Sequence, residues 1–478
     1  MTRRRTAAAT AATAAAAALV AALPESALAH GIQGKRDLPM PEWLFVWGAV
    51  LVLVISFLGL AVLWPKARLE DAGWKPLGAL GRILASRPVE IACGVIGALL
   101  LVLVVYSGLA GEDNDNLAPL FVFVVFWVAL VPVSIVFGDV FRAFNPWAAV
   151  ARAVSWVFGR TGRQSTEPFE YPERLGHWPA AAGILAFTMM ELVVDVGTDP
   201  RPLAIAALVY SAITWFCMSL YGIDRWLERG EAFSVYFGLF ARLSVFERRG
   251  DRIGRRPFLS GLSGLTPVAG TVALLAVMIG STSFDGLSVG RPWKQDIHPE
   301  LVDAFTSLGL SVRGAAQVSD ALGLLAMILL VLGFYMLGVI GARTAGGSFT
   351  RGELARRFVH SLVPIAVAYV LAHYVSLLLN EMQLLPALLS DPLGRGSDLF
   401  GWSDVTMDNS WVASETLWYL WLGLVTAGHV SALVLAHDRA LALYDRAAVA
   451  VRSQYWMLGV MVGFTCLALW LLSEASQG

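Results

Sequence analysis

Residues 43–64 read WLFVWGAVLVLVISFLGLAVLW, an unbroken run without a charge, and residues 65–75 that follow read PKARLEDAGWK. As a helix rising about 1.5 Å per residue, such a run covers about 30 Å, the thickness of a hydrocarbon core. The same pattern recurs along the chain, at 88–109, 117–137, 178–196, 203–222, 265–283, 319–341, 359–381, 413–437 and 454–473. The expected fold is therefore all-α: a polytopic transmembrane bundle of about ten helices, with the lipid bilayer as its constant partner. With 57% hydrophobic and 15% charged residues, an ordinary soluble domain is excluded.

Charge sets the expected orientation. The gaps between the apolar runs alternate in basic content. One set holds Lys66 to Arg87, Arg142 to Arg174, Arg225 to Arg256, Arg343 to Arg357 and Arg439 to Arg452. It contains about 25 of the 35 Lys and Arg, and by the positive-inside rule it is cytoplasmic. The other set, with the segment from His30 to Glu42 and the loops at 110–116, 197–202, 284–318 and 382–412, has about seven and is expected outside. Two basic-set gaps, 143–158 and 231–246, place apolar and aromatic residues between arginines, which suits short anchoring helices lying in the interface.

The N-terminus fits this topology. Arg3 to Arg5, the apolar run Ala7 to Leu23 and Ala27-Leu28-Ala29 have the form of a secretory signal with its cleavage box, an uncleaved signal anchor being the alternative. The expected organisation is a signal peptide over 1–29 and one integral membrane domain over 30–478, with both mature ends outside. Cys93, Cys217 and Cys466 lie far apart inside apolar runs and form no C-x-x-C pair. No nucleic-acid-binding motif is present, and the net charge of -1 singles out no partner.

Chemistry in such a chain falls to polar groups at membrane depth, where an ionisable side chain costs a few kcal/mol unless it is paired or lines a wet cavity. Glu191 and Asp195 share one face of the 178–196 run, one turn apart. Two carboxylates so placed repel unless a cation, a shared proton or a histidine lies between them. His373, with Asn380 on the same face of the 359–381 run, lies at about the same depth as Glu191, so the two are expected to meet if their helices are neighbours. Glu191, His373 and Asp195 are thus the candidate catalytic residues. Asn380 and Asp285 form a second tier, and His429 is expected deeper in the same cavity. A buried histidine bonded to a backbone carbonyl or hydroxyl is the bland alternative for His373.

A divalent metal ion is the cofactor such residues suggest, with Glu191, His373, His429 and His30 as candidate ligands. His30, if it becomes the mature N-terminus, offers an amine and an imidazole to one copper ion, with His298 as a possible second histidine. Bis-histidine haem ligation by His373 and His429 is disfavoured by their difference in depth. Gly286-Leu287-Ser288-Val289-Gly290 matches the nucleophile-elbow letters, but it follows a membrane helix rather than a strand.

Several segments carry a resemblance: HGIQGKRDLP (30–39), GDVFR (138–142) with NPW (145–147), SFDG (283–286), AHY (372–374), SDPLG (390–394), GHV (428–430) and AHDR (436–439). Together they resemble a family of actinobacterial multi-pass membrane proteins often labelled fenitrothion hydrolase. The resemblance implies hydrolysis of an aryl phosphorothioate triester, an apolar small molecule, with Glu191 and His373 as base or metal ligands. The residues alone also fit a transporter, channel or metal-handling protein that binds an ion, or a scaffold in which the same groups are interhelical hydrogen bonds.

Overall fold

The computed structural model describes residues 42–70, 72–160, 167–194, 199–346, 349–408 and 410–477. The expected signal segment over 1–29, His30 and Asp195 lie outside the described residues. The architecture is an all-α bundle of α1 (Glu42–Leu63), α2 (Arg87–Ala110), α3 (Leu117–Phe137), α4 (Val140–Phe144), α5 (Pro146–Arg160), α6 (Trp178–Leu192) and α7 (Pro200–Tyr221). It continues with α8 (Ile223–Arg229), α9 (Ala232–Ala241), α10 (Thr271–Val289), α11 (Val312–Arg343), α12 (Leu362–Glu381), α13 (Ser414–Leu443) and α14 (Tyr455–Gln477).

Nine helices among the described residues are long and apolar enough to cross a membrane. The tenth expected run, 178–196, appears as the shorter α6 of 15 residues, which spans only about 22 Å. Helix α6 is shielded by neighbours: Ala180 and Ile184 are fully buried, and α6 packs along α10 and α9. Helices α1 and α2 instead expose Leu51, Ile55, Leu58, Leu99 and Val102, as a lipid-facing wall requires.

One end of the bundle is basic. There a small antiparallel sheet joins β1 (Lys75–Pro76), β3 (Arg252–Arg255) and β2 (Phe246–Arg249) in that order. Glu90 at the foot of α2 binds Arg152 at 2.8 Å and Arg248 at 3.2 Å, tying the sheet to α5. Arg256 donates to the carbonyls of Ala241, Arg242 and Ser244, closing the C-terminal end of α9.

The segments expected as interfacial anchors are built differently. Helices α4 and α5 form one hairpin with Asn145 at its tip, and α8 and α9 form another with Glu231 at its tip. Both tips lie deep. A Cβ on Gly97, near the middle of α2, would fall 1.8 Å from the Phe144 carbonyl oxygen. Tyr210, halfway along α7, donates its hydroxyl to Glu231. Asn145 and Glu231 are 2% and 0% exposed, so the N-terminal ends of α5 and α9 enter the bundle instead of lying on its surface.

Local chemistry explains how these ends are tolerated. Asn145 Oδ1 accepts from the Ala148 amide at 2.8 Å, and the Glu231 carboxylate accepts from the amides of Phe233 and Ser234 at 3.0 and 2.8 Å. Each tip side chain thus caps its own helix, where amides would otherwise be unpaired and the helix dipole is positive. Asn145 also donates to Ser234 at 3.0 Å, joining the two hairpins. The amphipathic remainder of α5 emerges toward the basic end and exposes Trp156, Val157 and Phe158, and that part does match an interfacial helix.

Candidate functional site

Helices α10 and α12 run in parallel away from the basic end. Asp285 lies 14 positions after Thr271 in α10, and His373 lies 11 positions after Leu362 in α12, which places both in the far half of the bundle. Their side chains meet. His373 Nε2 lies 3.0 Å from Asp285 Oδ2, and the Tyr374 hydroxyl donates to the same oxygen at 2.5 Å. Consecutive positions on α12 therefore supply both partners of one carboxylate, with the His373 and Tyr374 rings edge to face at 4.6 Å.

Glu191, near the end of α6, belongs to the same cluster by electrostatics rather than by a hydrogen bond. It lies within interaction range of Asp285, Tyr374 and Tyr236, while its Oε2 is buried with no hydrogen-bond partner. Tyr236 on α9 is fully buried, stacks on Trp127 at 4.5 Å, and also has an unpartnered hydroxyl oxygen. An apolar interior cannot hold a second carboxylate beside Asp285 without a proton, a cation or water to satisfy it.

The expected meeting of Glu191 and His373 thus takes a different form: His373 bonds Asp285, placed in the second tier, and Glu191 faces the pair from α6. Asn380, two turns beyond His373, is half-buried and bonds none of the cluster's side chains. His429 is 0% exposed on α13, with Nδ1 2.8 Å from the Val425 carbonyl and Nε2 unpartnered. Ser288 donates to the Asp285 carbonyl within helical α10, so the nucleophile-elbow letters form no strand-to-helix turn. His298 lies 3.5 Å from Asp320, which accepts from Trp293 at 3.1 Å, a separate polar group.

Beside His373 is a void of about 20 Å³ lined by Thr282, Ser283, Gly286, Tyr369, Ala372 and Val425, with Ala468 and Leu471 completing it. That is room for about one water. His373 Nδ1 faces this void, since a Cβ on Gly286 would meet it at 3.6 Å. The His373 and Asp285 side chains are each 16% exposed, so the pair is not sealed.

Farther from the basic end, a cleft of about 870 Å³ opens between α3 and α12. Its apolar floor includes Phe123, Val124 and Leu377, and its rim carries Asp113, Asp115, Glu381, Asp391 and Asp398, with no Lys or Arg among the described residues that line it. Leu377 and Glu381 lie one and two turns beyond His373, and Phe123 touches Phe187, one turn before Glu191, at 5.7 Å between ring centroids. The cleft walls therefore lead toward the carboxylate–histidine cluster. In the loop at the rim, the Ser390 hydroxyl and the amides of Ser403 and Trp402 hold the Asp398 carboxyl below its ordinary range.

Among the described residues, no three His, Cys, Asp or Glu side chains converge closely enough to hold a metal ion. At Asp285 a phenol hydroxyl and an imidazole nitrogen meet one carboxylate oxygen, an arrangement suited to proton exchange. No family model, curated protein or solved structure matches this chain.

Glu231 and Tyr210 escaped the sequence reading, and Tyr374 and Asn145 entered it only within the segments that carry the resemblance, without a role of their own. The signal for Tyr374 was adjacency to His373. For the other three it was a cap residue directly before a helix, at Asn145-Pro146 and Glu231-Ala232, and a tyrosine at the middle of an apolar run.

Proposed function

We propose that this integral membrane protein uses Asp285, His373, Tyr374 and Glu191 as a membrane-embedded acid–base centre, coupled to binding of a cationic solute in the far cleft. The observation that carries the reading is the meeting of two carboxylates, an imidazole and a phenol in an apolar bundle, beside room for about one water. His373 takes or gives a proton at Nδ1 while Asp285 holds the ring through Nε2. Tyr374 fixes the Asp285 carboxylate, and Glu191 provides a second proton-binding oxygen pair. The acidic rim and the lack of Lys or Arg among the described residues of the cleft wall favour a cation, drawn from the side opposite the basic end.

Hydrolysis of a phosphotriester is the second reading, favoured by the Asp285–His373 pair itself. A carboxylate that orients an imidazole whose other nitrogen faces a water-sized void is the arrangement that activates water. The resemblance to proteins labelled fenitrothion hydrolase points the same way. Against it, the void beside His373 is too small for an aryl triester, which would have to react from the cleft.

Purified protein in lipid nanodiscs separates the two. The first reading expects binding of organic cations accompanied by proton release, with both lost in Asp285→Asn and His373→Gln. The second expects steady release of nitrophenol from an activated phosphotriester, lost in the same variants. Cation binding and proton release that persist in both variants would remove the acid–base centre from either account.

A further inference from the structure

We infer that the far cleft takes an organic amine in its protonated form, with an ammonium N–H on Asp391 at the rim and the apolar body along the floor toward the Asp285–His373 centre. The inference rests on the cation-binding half of the proposed function and names the class of solute.

The cleft sorts its chemistry along its length. The helical run that begins with α12 continues to Ser390, and it lines the cleft with Leu377, Glu381, Leu384 and Leu388, Asp391 following directly. Steps of three and four residues keep these positions on one helix face, about 20 Å long at about 1.5 Å per residue. The deep end is apolar, with Phe123 and Val124 of α3 opposite Leu377. Four of the five rim carboxylates, Asp113, Asp115, Asp391 and Asp398, instead come from the two loops at the mouth. An inorganic cation leaves that floor unused, whereas a space of about 870 Å³ suits a solute with an apolar body of its own.

The rim is preformed. Its two loops clasp each other, the Glu112 amide donating to the Leu393 carbonyl at 2.8 Å and the Leu117 amide to the Pro392 carbonyl at 3.3 Å. Gly394, at a φ of +67°, admits no Cβ, which would fall 2.4 Å from the Asn114 carbonyl oxygen. Within this clasp the Gly396 amide holds Asp391 Oδ2 at 2.6 Å, while Asp391 Oδ1 is buried with no hydrogen-bond partner. A buried carboxylate oxygen left unpaired is costly, so this position calls for a donor. The neighbouring Asp398 is already occupied, by the Ser390 hydroxyl and the amides of Trp402 and Ser403. Arg395, in the same loop, donates to the Ala110 carbonyl, lies 4.0 Å from Glu112 and does not line the cleft.

These features select among cations. An ammonium with an N–H gives Asp391 Oδ1 the charge-assisted bond it lacks, which a quaternary ammonium cannot do. Among the described residues, no three carboxylates or imidazoles converge closely enough to hold a metal ion there. A zwitterion, whether an amino acid or an ethanolamine lipid headgroup, brings an anion for which the described wall has no Lys or Arg. Beside the mouth, Leu399, Phe400 and Trp402 are exposed in a loop held to the helix end by the Leu399 amide on the Ser390 carbonyl. Such side chains suit the headgroup level, where an amine with an apolar body concentrates.

The test uses the full chain in phosphatidylcholine nanodiscs, titrated calorimetrically against empty nanodiscs while a dye follows proton release. The probes are phenethylammonium, phenethyl alcohol and phenethyltrimethylammonium. Wild type should bind phenethylammonium at least about tenfold more tightly than either other probe. Asp391→Asn, whose amide oxygen can still accept from Gly396, should erase that preference. Leu377→Ala should weaken the ammonium and the alcohol together and keep their ratio. Ammonium bound no more tightly than the alcohol, or a preference that survives Asp391→Asn, would overturn the inference. Loss of binding when ethanolamine lipid is added to the nanodiscs would assign the site to a headgroup and overturn it as well. Proton release driven by sodium or calcium ions, with no amine bound, would overturn the amine and leave the acid–base centre standing. Amine bound with the expected preference but without proton release would support the inference and remove its coupling to the centre.

Discussion

At the scale of single residues, the account turns on which atoms face the void beside His373. Glycine at 286 leaves that space open, and its neighbours there, His373 Nδ1 at 3.6 Å and Leu471 Cβ at 3.9 Å, would meet an added methyl at ordinary contact distance. Gly286→Ala should therefore fold normally yet fill the water-sized void, reducing cation-linked proton exchange by at least about tenfold, measured alongside thermal stability. His177 gives a pH prediction away from the centre. It is buried beside Thr271, and burial, reinforced by Arg229, pushes its pKa down from 6.5 to about 4. The unfolded chain then binds the extra proton between those values. The His177 contribution, of order 3 kcal/mol, is full above about pH 6.5 and lost as pH falls toward 4. Melting temperatures in detergent should drop more steeply over that window in wild type than in His177→Asn. Glu191 and His373 were legible in the sequence as ionisable groups at equal depth. Asp285 was undervalued because a linear reading cannot tell which of two carboxylates on different helices faces the histidine.

At the scale of elements, the two hairpins meeting through Asn145 and Glu231 are the feature that sequence patterning misassigned. Alternating arginines and aromatics are shared by interfacial helices and by half-buried ones, so periodicity alone could not separate them; the cap chemistry at the tips did. Close backbone approach supplies the check. Gly97 admits no Cβ against the Phe144 carbonyl, whereas Gly59 on α1 has no atom within 4 Å of where a Cβ would stand. Gly97→Ala should thus force the α4–α5 tip outward and cost about 1–3 kcal/mol, lowering the melting temperature, while Gly59→Ala should be neutral or slightly stabilising. Equal melting temperatures for the two variants would refute the depth assigned to the tip.

At the scale of the whole molecule, the all-α bundle was legible because lipid imposes long uncharged helices, and nine of the ten expected runs return as such. The tenth, α6, is 15 residues long and packs against α9 and α10, and sequence hydropathy does not distinguish a helix shielded by protein from one facing lipid. The gathering of Arg248, Arg249, Arg252 and Arg255 on one small sheet predicts that this end is cytoplasmic. A cysteine placed at Arg249 should resist a membrane-impermeant thiol reagent added to intact cells and react once the membrane is opened, whereas one at Ser397 in the far cleft should react from outside.

The central claim, that Asp285 and His373 form a proton-exchanging centre, is tested most directly by solid-state nitrogen NMR of histidine-labelled protein in bilayers. The His373 signals are assigned by their loss in His373→Gln. The account predicts that a cationic solute, by drawing a proton from the centre, changes the His373 nitrogen signals at constant bulk pH, and that Asp285→Asn abolishes the change. His373 signals that are the same with and without the solute, in wild type and in Asp285→Asn alike, would contradict it.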